Sequence, residues 1–332
     1  MAIEDFSPEQ QLYIAQNKLE PEILENTIQT ILARMAETKT PSPAPVAFIV
    51  GGQPGSGKSG IITNIMQNHG TNYVLIDNDD YRMYHPNVNE INNVHPEIYT
   101  ECTDQLSFAT TPRAIEHARA NGYNMIIHQT LKNDTIINCA ITDLTNSDYA
   151  RVIVVMAADE MTSNEGMLRR CQDNLAYDGT CRWVPQENHD FAYKGLPTTV
   201  GHIEERGLYD AIVVVTRSND PDHPEYVNVI HKVYNPNMPE HHRRALEAVG
   251  FGGAQIISLG SAKDAVIAGR EMDGDQTLDK LEEKIKTAKS RATTPEEFVR
   301  IRGLEKLFSQ GMARRVAKQS GNPSQPGQPG DK

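Results

Sequence analysis

The stretch FIVGGQPGSGKSGIITNIM, residues Phe48–Met66, decides the fold. An apolar run breaks into glycines, reaches Lys58-Ser59, and then continues with apolar residues at helical spacing. Its segment Gly52–Ser59 fits the pattern G-x-x-x-x-G-K-[ST], which forms a phosphate-binding loop where it joins a strand to a helix. The glycines let the chain wrap closely, so that backbone N–H groups and the positive helix end surround a di- or triphosphate. We therefore predict that this segment binds a nucleotide.

The roles within the predicted loop follow from the chemistry of its residues. The ammonium group of Lys58 can reach the terminal phosphates of ATP, and the hydroxyl of Ser59 can hold Mg²⁺. An ordinary glycine-rich turn with a surface lysine is the alternative, but the flanking strand and helix patterns argue against it. The nucleotide-binding residues predicted here are Gly52, Gln53, Pro54, Gly55, Ser56, Gly57, Lys58 and Ser59.

Short apolar runs rich in β-branched residues alternate with longer mixed segments along the chain. Such runs, apolar on both faces, indicate a parallel sheet covered by helices. We predict an α/β fold of the P-loop NTPase type, a parallel sheet of about five strands flanked by helices, with helical additions at both ends. The predicted strands are Val46–Val50, Tyr73–Ile76, Met125–Ile127, Arg151–Met156 and Ala211–Val215.

Shifts in composition divide the chain into five predicted segments. A helical N-terminal segment, 1–45, ends in a proline-rich boundary and is followed by the P-loop core, 46–220. Residues 221–262 form a mixed connecting segment, and 263–319 form a helical hairpin. Residues 320–332, rich in Pro, Gly, Ser and Gln, are predicted to be disordered because they cannot bury apolar surface.

The composition restricts the possible functions. The 332 residues are 38% hydrophobic and carry a formal net charge of -12, which disfavours nucleic acid as a partner. The N-terminus lacks a signal-peptide pattern and no apolar run is long enough to cross a bilayer, so we expect a cytoplasmic protein with no membrane partner. The cysteines show no C-x-x-C pair and no zinc-type spacing, and we predict that they are reduced thiols: Cys102, Cys139, Cys171 and Cys181.

Three acidic residues follow the second predicted strand, in the stretch VLIDNDDYRMYHPN. In α/β sheets ligands bind beyond the carboxyl ends of the strands, where Asp77, Asp79 and Asp80 are expected beside the bound phosphates. A carboxylate there can accept the proton of an acceptor hydroxyl, or hold Mg²⁺ through water. The alternative is that these acids cap a helix or are solvated.

At these residues the chain resembles the zeta toxin family of P-loop kinases. The family pattern G-x-P-G-x-G-K-[ST] appears as Gly52–Ser59, I-D-x-D-x-[FY]-[KR] appears as Ile76–Arg82, and H-P appears as His85-Pro86. The resemblance extends over roughly Phe6–Asn219. Further similar segments follow in the same order: GYNMII from Gly122, VVMAA from Val154, Arg170, Arg182, and KGLPTT from Lys194.

The resemblance implies a kinase that uses ATP and Mg²⁺ to phosphorylate the sugar 3'-hydroxyl of UDP-N-acetylglucosamine, a product that poisons peptidoglycan synthesis. It implies that Asp79 is the catalytic base and that Arg170 and Arg182 neutralise the transferring phosphoryl group. Lys58 completes the catalytic set, and Ser59 with Asp77 forms the metal set. It also implies a small helical antitoxin that blocks the ATP site. The implied substrate-binding residues are Arg82, His128, Thr130 and Lys132.

Departures from the family pattern lie on the acceptor side. His128-Gln129 stands where the family usually has a glutamate and a glycine, and Thr130 is retained. Pro112 falls near the place of an acidic sugar-binding residue, and Lys132 stands where an arginine is common. We therefore expect ATP use to be retained and the identity of the acceptor to be open.

Other functions remain open on the sequence alone. The acceptor could be another nucleotide metabolite, such as a different UDP-amino sugar or a dinucleotide. The chain could instead bind ATP as a regulatory module with weak catalysis. A nucleic-acid-processing P-loop protein is a third possibility, which the acidic balance and the lack of a basic, aromatic-rich stripe disfavour.

Overall fold

The computed structural model describes residues 6–135, 137–178, 184–218, 227–251, 257–291 and 295–319. Within these residues the centre is a six-stranded sheet in the order β2-β3-β1-β4-β5-β6. The strands are β1 (Val46–Gly51), β2 (Val74–Asp77), β3 (Met125–His128), β4 (Ala150–Met156), β5 (Ala211–Arg217) and β6 (Val227–Tyr234).

Helices cover both faces of this sheet. Short 3₁₀ segments follow α4 and precede α6, and a π-helical segment precedes α7. The helices are α1 (Pro8–Gln16), α2 (Pro21–Ala36), α3 (Lys58–His69), α4 (Asn78–Tyr81), α5 (Val88–Val94), α6 (Tyr99–Ala120), α7 (Thr142–Thr145), α8 (Glu160–Asp178), α9 (Gln186–Glu205), α10 (Glu240–Ala248), α11 (Ala262–Arg291) and α12 (Pro295–Gln319).

The first five strands are parallel, which confirms the predicted α/β fold. Strands β1 and β4 are buried along their whole length, as their continuous apolar runs require. The sheet has one strand more than predicted, because β6 pairs antiparallel with β5 at the edge. Its first half is exposed or partly buried and its buried residues, His231 and Lys232, are polar, so its sequence lacks the apolar run that marks the other strands.

The last two helices pack onto the predicted P-loop core. Helix α11 contacts β5, α9 and α8, and α12 contacts α11 and α8. At Gly269 of α11 an added Cβ would lie 2.5 Å from Ile230 Cδ1 and 2.7 Å from Ala157 Cβ. Such distances are too short for a side chain, so this glycine allows α11 to lie directly against the sheet.

A buried polar network closes the edge of the sheet opposite the carboxyl ends of the parallel strands. The Asp210 carboxylate is fully buried and accepts hydrogen bonds from the backbone N–H of Arg151 at 2.8 Å and from its Nε at 3.0 Å. His242 Nδ1 lies 3.0 Å from the other oxygen. Burial raises the pKa of Asp210, but His242 and Arg151 outweigh this effect and hold the pKa below its ordinary value.

The cysteine prediction is wrong for Cys171, which is disulfide-bonded. Sequence spacing cannot reveal such a bond, because it depends on how closely two Cα atoms approach in the folded chain. Cys102 is a free, buried thiol. The side chains of Cys139 and Cys181 lie outside the described set, and the predicted tail, 320–332, lies outside the described residues.

In the part of the chain that the structure describes, no helix combines the length and apolar character needed to cross a membrane.

Candidate active site

The glycine-rich segment forms a tight loop between β1 and α3. Gly55 and Gly57 have φ angles of 74° and 98°, in the left-handed region that glycine adopts without strain. Gly57 lies immediately before the first residue of α3. A Cβ added to Gly55 would lie 2.0 Å from the carbonyl oxygen of Ser163 in α8. The loop therefore wraps against α8 at a distance that only glycine permits.

Lys58 is buried at the start of α3 and folds back onto the loop. Its Nζ donates to the carbonyl oxygens of Gly52 at 2.7 Å and Gln53 at 3.0 Å. Burial and the positive charge of Arg170 lower the pKa of Lys58 to about 8. The carboxylates of Asp77 and Asp79 act in the opposite direction, so these groups share one electrostatic environment.

A buried hydrogen-bond chain holds the start of the loop. Gln53 Nε2 donates to the carbonyl oxygen of Ala158 at 2.7 Å and to Ser163 Oγ at 3.3 Å. Ser163 Oγ also lies 2.7 Å from Nε2 of the fully buried His189 in α9. The loop is therefore connected through α8 to α9.

The acidic residues occupy the carboxyl end of β2, as predicted from their position after a strand. Asp77 caps α4, with its Oδ1 accepting a hydrogen bond from the backbone N–H of Asp79 at 3.0 Å. The capping function predicted as the alternative for these acids is thus met by Asp77. Asp79 lies within α4 with 68% of its side chain exposed, so its carboxylate can meet a substrate.

Asp77 is also paired with His128, at the end of the neighbouring strand β3. The two residues are register partners, and His128 Nδ1 contacts Asp77 Oδ2. Burial raises the pKa of Asp77, but the hydrogen bond and charge of His128 lead a set of interactions that hold it below its ordinary value. His128 Nε2 is buried, with no hydrogen-bond partner among the described residues.

Arg82, predicted to bind substrate, holds Asp79 in place. Its side chain is 7% exposed, and its Nε donates to Asp79 Oδ1 at 3.1 Å. Its Nη1 lies 2.7 Å from Asp104 Oδ1 and donates to the carbonyl oxygen of Thr100 at 2.9 Å in α6. These contacts orient the Asp79 carboxylate relative to α6.

The segment after β3 is fixed between β1 and α9. Leu131 has a φ of 50° and packs against Gly51, where an added Cβ would lie 2.2 Å from Leu131 Cδ1. At Gly195 of α9 an added Cβ would lie 1.8 Å from the Lys132 carbonyl oxygen. The Lys132 side chain is exposed, and its Nζ lies 6.0 Å from the centroid of the Phe191 ring. Thr130 is half-buried in the same segment.

The two predicted arginines differ in what the structure describes. Arg170 is exposed on α8, and its charge acts on Lys58. Arg182 lies outside the described residues. Ser59 is exposed in the first turn of α3, next to Lys58. Lys58, Asp77, Asp79 and Arg170 therefore surround the same edge of the sheet, whereas Arg82 is directed into the protein.

The predicted set omits Arg217, at the carboxyl end of β5. Its Nη2 donates to the Gly55 carbonyl oxygen at 2.7 Å, and its Nε donates to the Ser56 carbonyl oxygen at 3.2 Å. The only sequence signal for this role is a basic residue that directly follows an apolar strand, since strand ends border the ligand in α/β folds.

The chain is similar to known proteins over more than half of its length. The family model described as Zeta toxin matches residues 30–225. Toxin zeta of Streptococcus agalactiae is 30% identical over 194 residues, which covers 58% of this chain and 68% of that protein. Toxin PezT of Streptococcus pneumoniae serotype 4 is 24% identical over 187 residues, covering 56% of this chain and 74% of that protein.

Among solved structures, the fold is similar to a chain of the PezAT chromosomal toxin–antitoxin system of Streptococcus pneumoniae. The TM-score is 0.57 at 18% sequence identity, and the match covers 79% of this chain and 98% of that chain. At this identity the likeness concerns the fold alone.

Proposed function

The chain belongs to the zeta toxin family, and from this membership we propose that it transfers the γ-phosphoryl group of ATP to a hydroxyl of a nucleotide-linked substrate. The acceptor proposed first is the sugar 3'-hydroxyl of UDP-N-acetylglucosamine or of a related UDP-amino sugar. Phosphorylation of such a precursor would act against cell-wall synthesis and make the protein a toxin.

The observation that carries the kinase proposal is the meeting of charged groups around the phosphate loop. Lys58 donates hydrogen bonds to two loop carbonyl oxygens. Its charge also interacts with those of Arg170, Asp77 and Asp79. Phosphoryl transfer depends on positioning and charge stabilisation more than on covalent chemistry. A phosphate loop, a lysine, an arginine and an exposed carboxylate therefore suit this reaction.

Mg²⁺ fits this edge of the sheet as an oxygen-ligated ion. Mg²⁺ usually keeps several waters and binds through one or two protein oxygens together with substrate phosphates. The exposed Ser59 hydroxyl and the Asp77 carboxylate are oxygens of this kind, and we assign the ion to them. Asp77 already bonds Asp79 N–H and His128, so we expect it to act through water. When bound, the ion would neutralise charge on the phosphates.

In the proposed step, Asp79 accepts the proton of the acceptor hydroxyl while that oxygen forms a bond to the γ-phosphorus. The bond from the γ-phosphorus to the β–γ bridging oxygen breaks, and ADP leaves with the electron pair. Arg82 orients the Asp79 carboxylate for this transfer. Lys58, Arg170 and, by family resemblance, Arg182 neutralise the charge that spreads over the phosphoryl oxygens.

The residues assigned to the acceptor are consistent with a kinase site, but their departures from the family pattern suggest a different acceptor specificity. Thr130 and Lys132 lie on the segment fixed between β1 and α9, and we assign them contacts to the substrate. His128 precedes this segment, and its Nδ1 contacts the Asp77 carboxylate. The buried Arg82 acts on substrate only through Asp79.

A second candidate function is phosphorylation of another nucleotide metabolite, such as a dinucleotide. The observation that favours it is the Asp77–His128 pair, because a histidine stands where the family pattern has a glutamate. The alternative to an enzymatic function is an ATP-binding regulatory module that has weak catalytic activity. The exposed Asp79 carboxylate beside Lys58 favours catalysis over that module.

We further propose that a small helical antitoxin protein covers the ATP site. The support is that the similar structure comes from the PezAT toxin–antitoxin system and that a similar curated protein is Toxin PezT. Neither membranes nor nucleic acids form part of the proposal.

The test is to incubate the purified full chain with γ-labelled ATP, Mg²⁺ and a panel of UDP-sugars and dinucleotides. We expect label on a UDP-amino sugar and its loss in Lys58→Ala. Lys286→Ala, in an exposed ion pair with Glu282 on α11, is the matched control and should keep the label. Label on a dinucleotide would support the second candidate. Binding of ATP without transfer to any acceptor would support the regulatory module.

A further inference from the structure

Arg217 lies against the outer face of the phosphate loop. Its guanidinium donates two hydrogen bonds to consecutive loop carbonyls, those of Gly55 and Ser56. Two glycines make space for it, since an added Cβ would lie 3.4 Å from its Nε at Gly57 and 3.2 Å from its Nη2 at Gly166 in α8. A forked, planar cation is thus seated in a slot between the loop and α8.

The bond to Gly55 holds a peptide whose N–H, on Ser56, donates to the Gln53 carbonyl oxygen at 3.2 Å. The bond to Ser56 is therefore the one that bears on an N–H available to a ligand. A trans peptide is planar, so its carbonyl and its N–H point in opposite directions. When Arg217 fixes the Ser56 carbonyl, the N–H of Gly57 in the same peptide points away from the arginine. In such loops backbone N–H groups meet the phosphates, and we infer that this N–H faces the ligand.

Helix α11 packs against β5 next to Arg217, since a Cβ added to Gly269 would lie 3.4 Å from Thr216 Cγ2. Asp273 is four residues beyond Gly269 and therefore lies on the same face of α11. Burial lowers the pKa of Arg217, and the carboxylate of Asp273 in α11 opposes this shift most strongly. Asp273 is 2% exposed, and its Oδ2 accepts a hydrogen bond from the Asp159 backbone N–H at 2.8 Å, just before α8 begins. At Gly274 an added Cβ would lie 2.9 Å from the Asp159 Cγ. The charged side chains that act on Arg217 are Asp273, Glu165 and Arg169.

We propose that Arg217 is a positioning residue for the triphosphate, which holds the phosphate loop open for its ligand from outside, and that α11 supports it through the charge of Asp273. The inference rests on the proposed ATP site and deepens it. It extends the nucleotide-binding machinery to α11, beyond the family match at 30–225.

The test measures equilibrium binding of a non-hydrolysable ATP analogue to the full chain, so it needs no acceptor. Arg217→Met removes both donors and should weaken binding about tenfold or more, because hydrogen bonds from a charged group are the stronger kind. Arg217→Lys keeps the charge and should recover part of this loss. Arg243→Met, on the exposed surface of α10, is the matched control and should bind normally.

A merely structural role for Arg217 would lower Tm and leave the affinity of the folded fraction unchanged, and that result would overturn the proposal. In turnover assays we expect the KM for ATP to rise while the KM for the acceptor stays constant. Lys58→Ala distinguishes an error in the proposed ATP site from an error in the role of Arg217. If Lys58→Ala binds the analogue as tightly as the native chain, the nucleotide site itself is misassigned. If Lys58→Ala binds weakly but the Arg217 variants bind as tightly as the native chain, only the inference about Arg217 fails.

Asp273→Asn tests the contribution of α11 by the sign of its effect. Asparagine keeps an oxygen for the Asp159 N–H but removes the charge that faces Arg217. If Asp273 supports Arg217, analogue binding weakens, in the same direction as in Arg217→Lys. If Asp273 acts only as a negative charge near the triphosphate, its removal tightens binding. Tighter or unchanged binding would overturn the assignment of α11.

Discussion

His128 and Asp77 join the carboxyl ends of strands β3 and β2 through a direct contact between Nδ1 and Oδ2. The contact offsets the cost of burying the Asp77 carboxylate, whose pKa burial alone would raise. The negative charge of Asp77 at this edge of the sheet therefore depends on a neighbouring imidazole.

The first prediction concerns this dependence. In the native chain the depressed pKa of Asp77 stabilises the fold above the ordinary carboxyl pKa, and this stability is lost as pH falls through the folded pKa. His128→Ala leaves burial with less opposition and should raise the pKa of Asp77. We expect the variant to have a lower Tm at neutral pH and the difference to narrow as pH falls below about 4, through the depressed folded pKa. A Tm difference that stays constant as pH falls would contradict the pairing. His128→Gln keeps a hydrogen-bond donor, so its Tm should lie between those of the native chain and His128→Ala.

The second prediction concerns the proton acceptor. Asp79→Asn is nearly isosteric and can still accept a hydrogen bond from Arg82, but it cannot take a proton. We expect transfer to the identified acceptor to fall by a factor on the order of a hundred to ten thousand, with little change in ATP affinity. Asp77→Asn is the matched comparison and should change the dependence on Mg²⁺ concentration. Near-native transfer by Asp79→Asn together with loss in Asp77→Asn would show that Asp79 is not the base.

The third prediction concerns the charge of Lys58. Because its pKa is lowered to about 8 in the nucleotide-free chain, Lys58 is mostly charged below that pH and mostly neutral above it. ATP affinity should therefore fall as pH rises through about 8, with proton uptake on binding in that range. Calorimetry in buffers of different ionisation enthalpy measures this uptake. Lys58→Met should bind weakly and show no uptake in the same range, and uptake that persists in this variant would assign it to another group.

The fourth prediction separates stability from the site. Asp210→Ala leaves Arg151 buried without its carboxylate at the opposite edge of the sheet. We expect the free energy of unfolding to fall by about 3–5 kcal/mol, the scale for breaking a buried ion pair. The KM for ATP of the folded fraction should stay constant. Because the folded pKa of Asp210 is depressed, the native contribution is present at neutral pH and is lost as pH falls through that pKa, and urea titrations at two pH values check this.

The parallel core of the sheet could be predicted because each of its strands is an apolar run, as in Val46–Gly51 and Ala150–Met156. The phosphate loop could be predicted because its glycines, lysine and serine are contiguous. Strand β6 was not predictable in this way, because an edge strand needs no continuous apolar run and residues such as Asn228 and Val229 are exposed.

Within the candidate site, residue patterns indicated the loop and the acids after β2, whose residues lie close together along the chain, whereas Arg170 was assigned from the family resemblance. Arg217 and Ser56 are 161 positions apart, and no local pattern indicates that they meet. The inward direction of Arg82 depends on Asp104 and Thr100, which come from a later helix. Residue type and position after a strand thus predict which edge of the sheet is used, whereas contacts between distant segments decide what each side chain does there.

The close approach of Gly55 and Gly166 affects which sequence changes the protein tolerates. A Cβ on Gly166 would lie 2.2 Å from the Gly55 carbonyl oxygen, and a Cβ on Gly55 would collide with α8 in return. A genetic selection for chains that have lost activity should therefore recover even Gly166→Ala, a change of one methyl group on a helix more than a hundred residues from the loop in sequence. The inactivating mutations would then extend beyond the residues that meet nucleotide or acceptor, because the contact between the loop and α8 has no space for a side chain at Gly55 or Gly166.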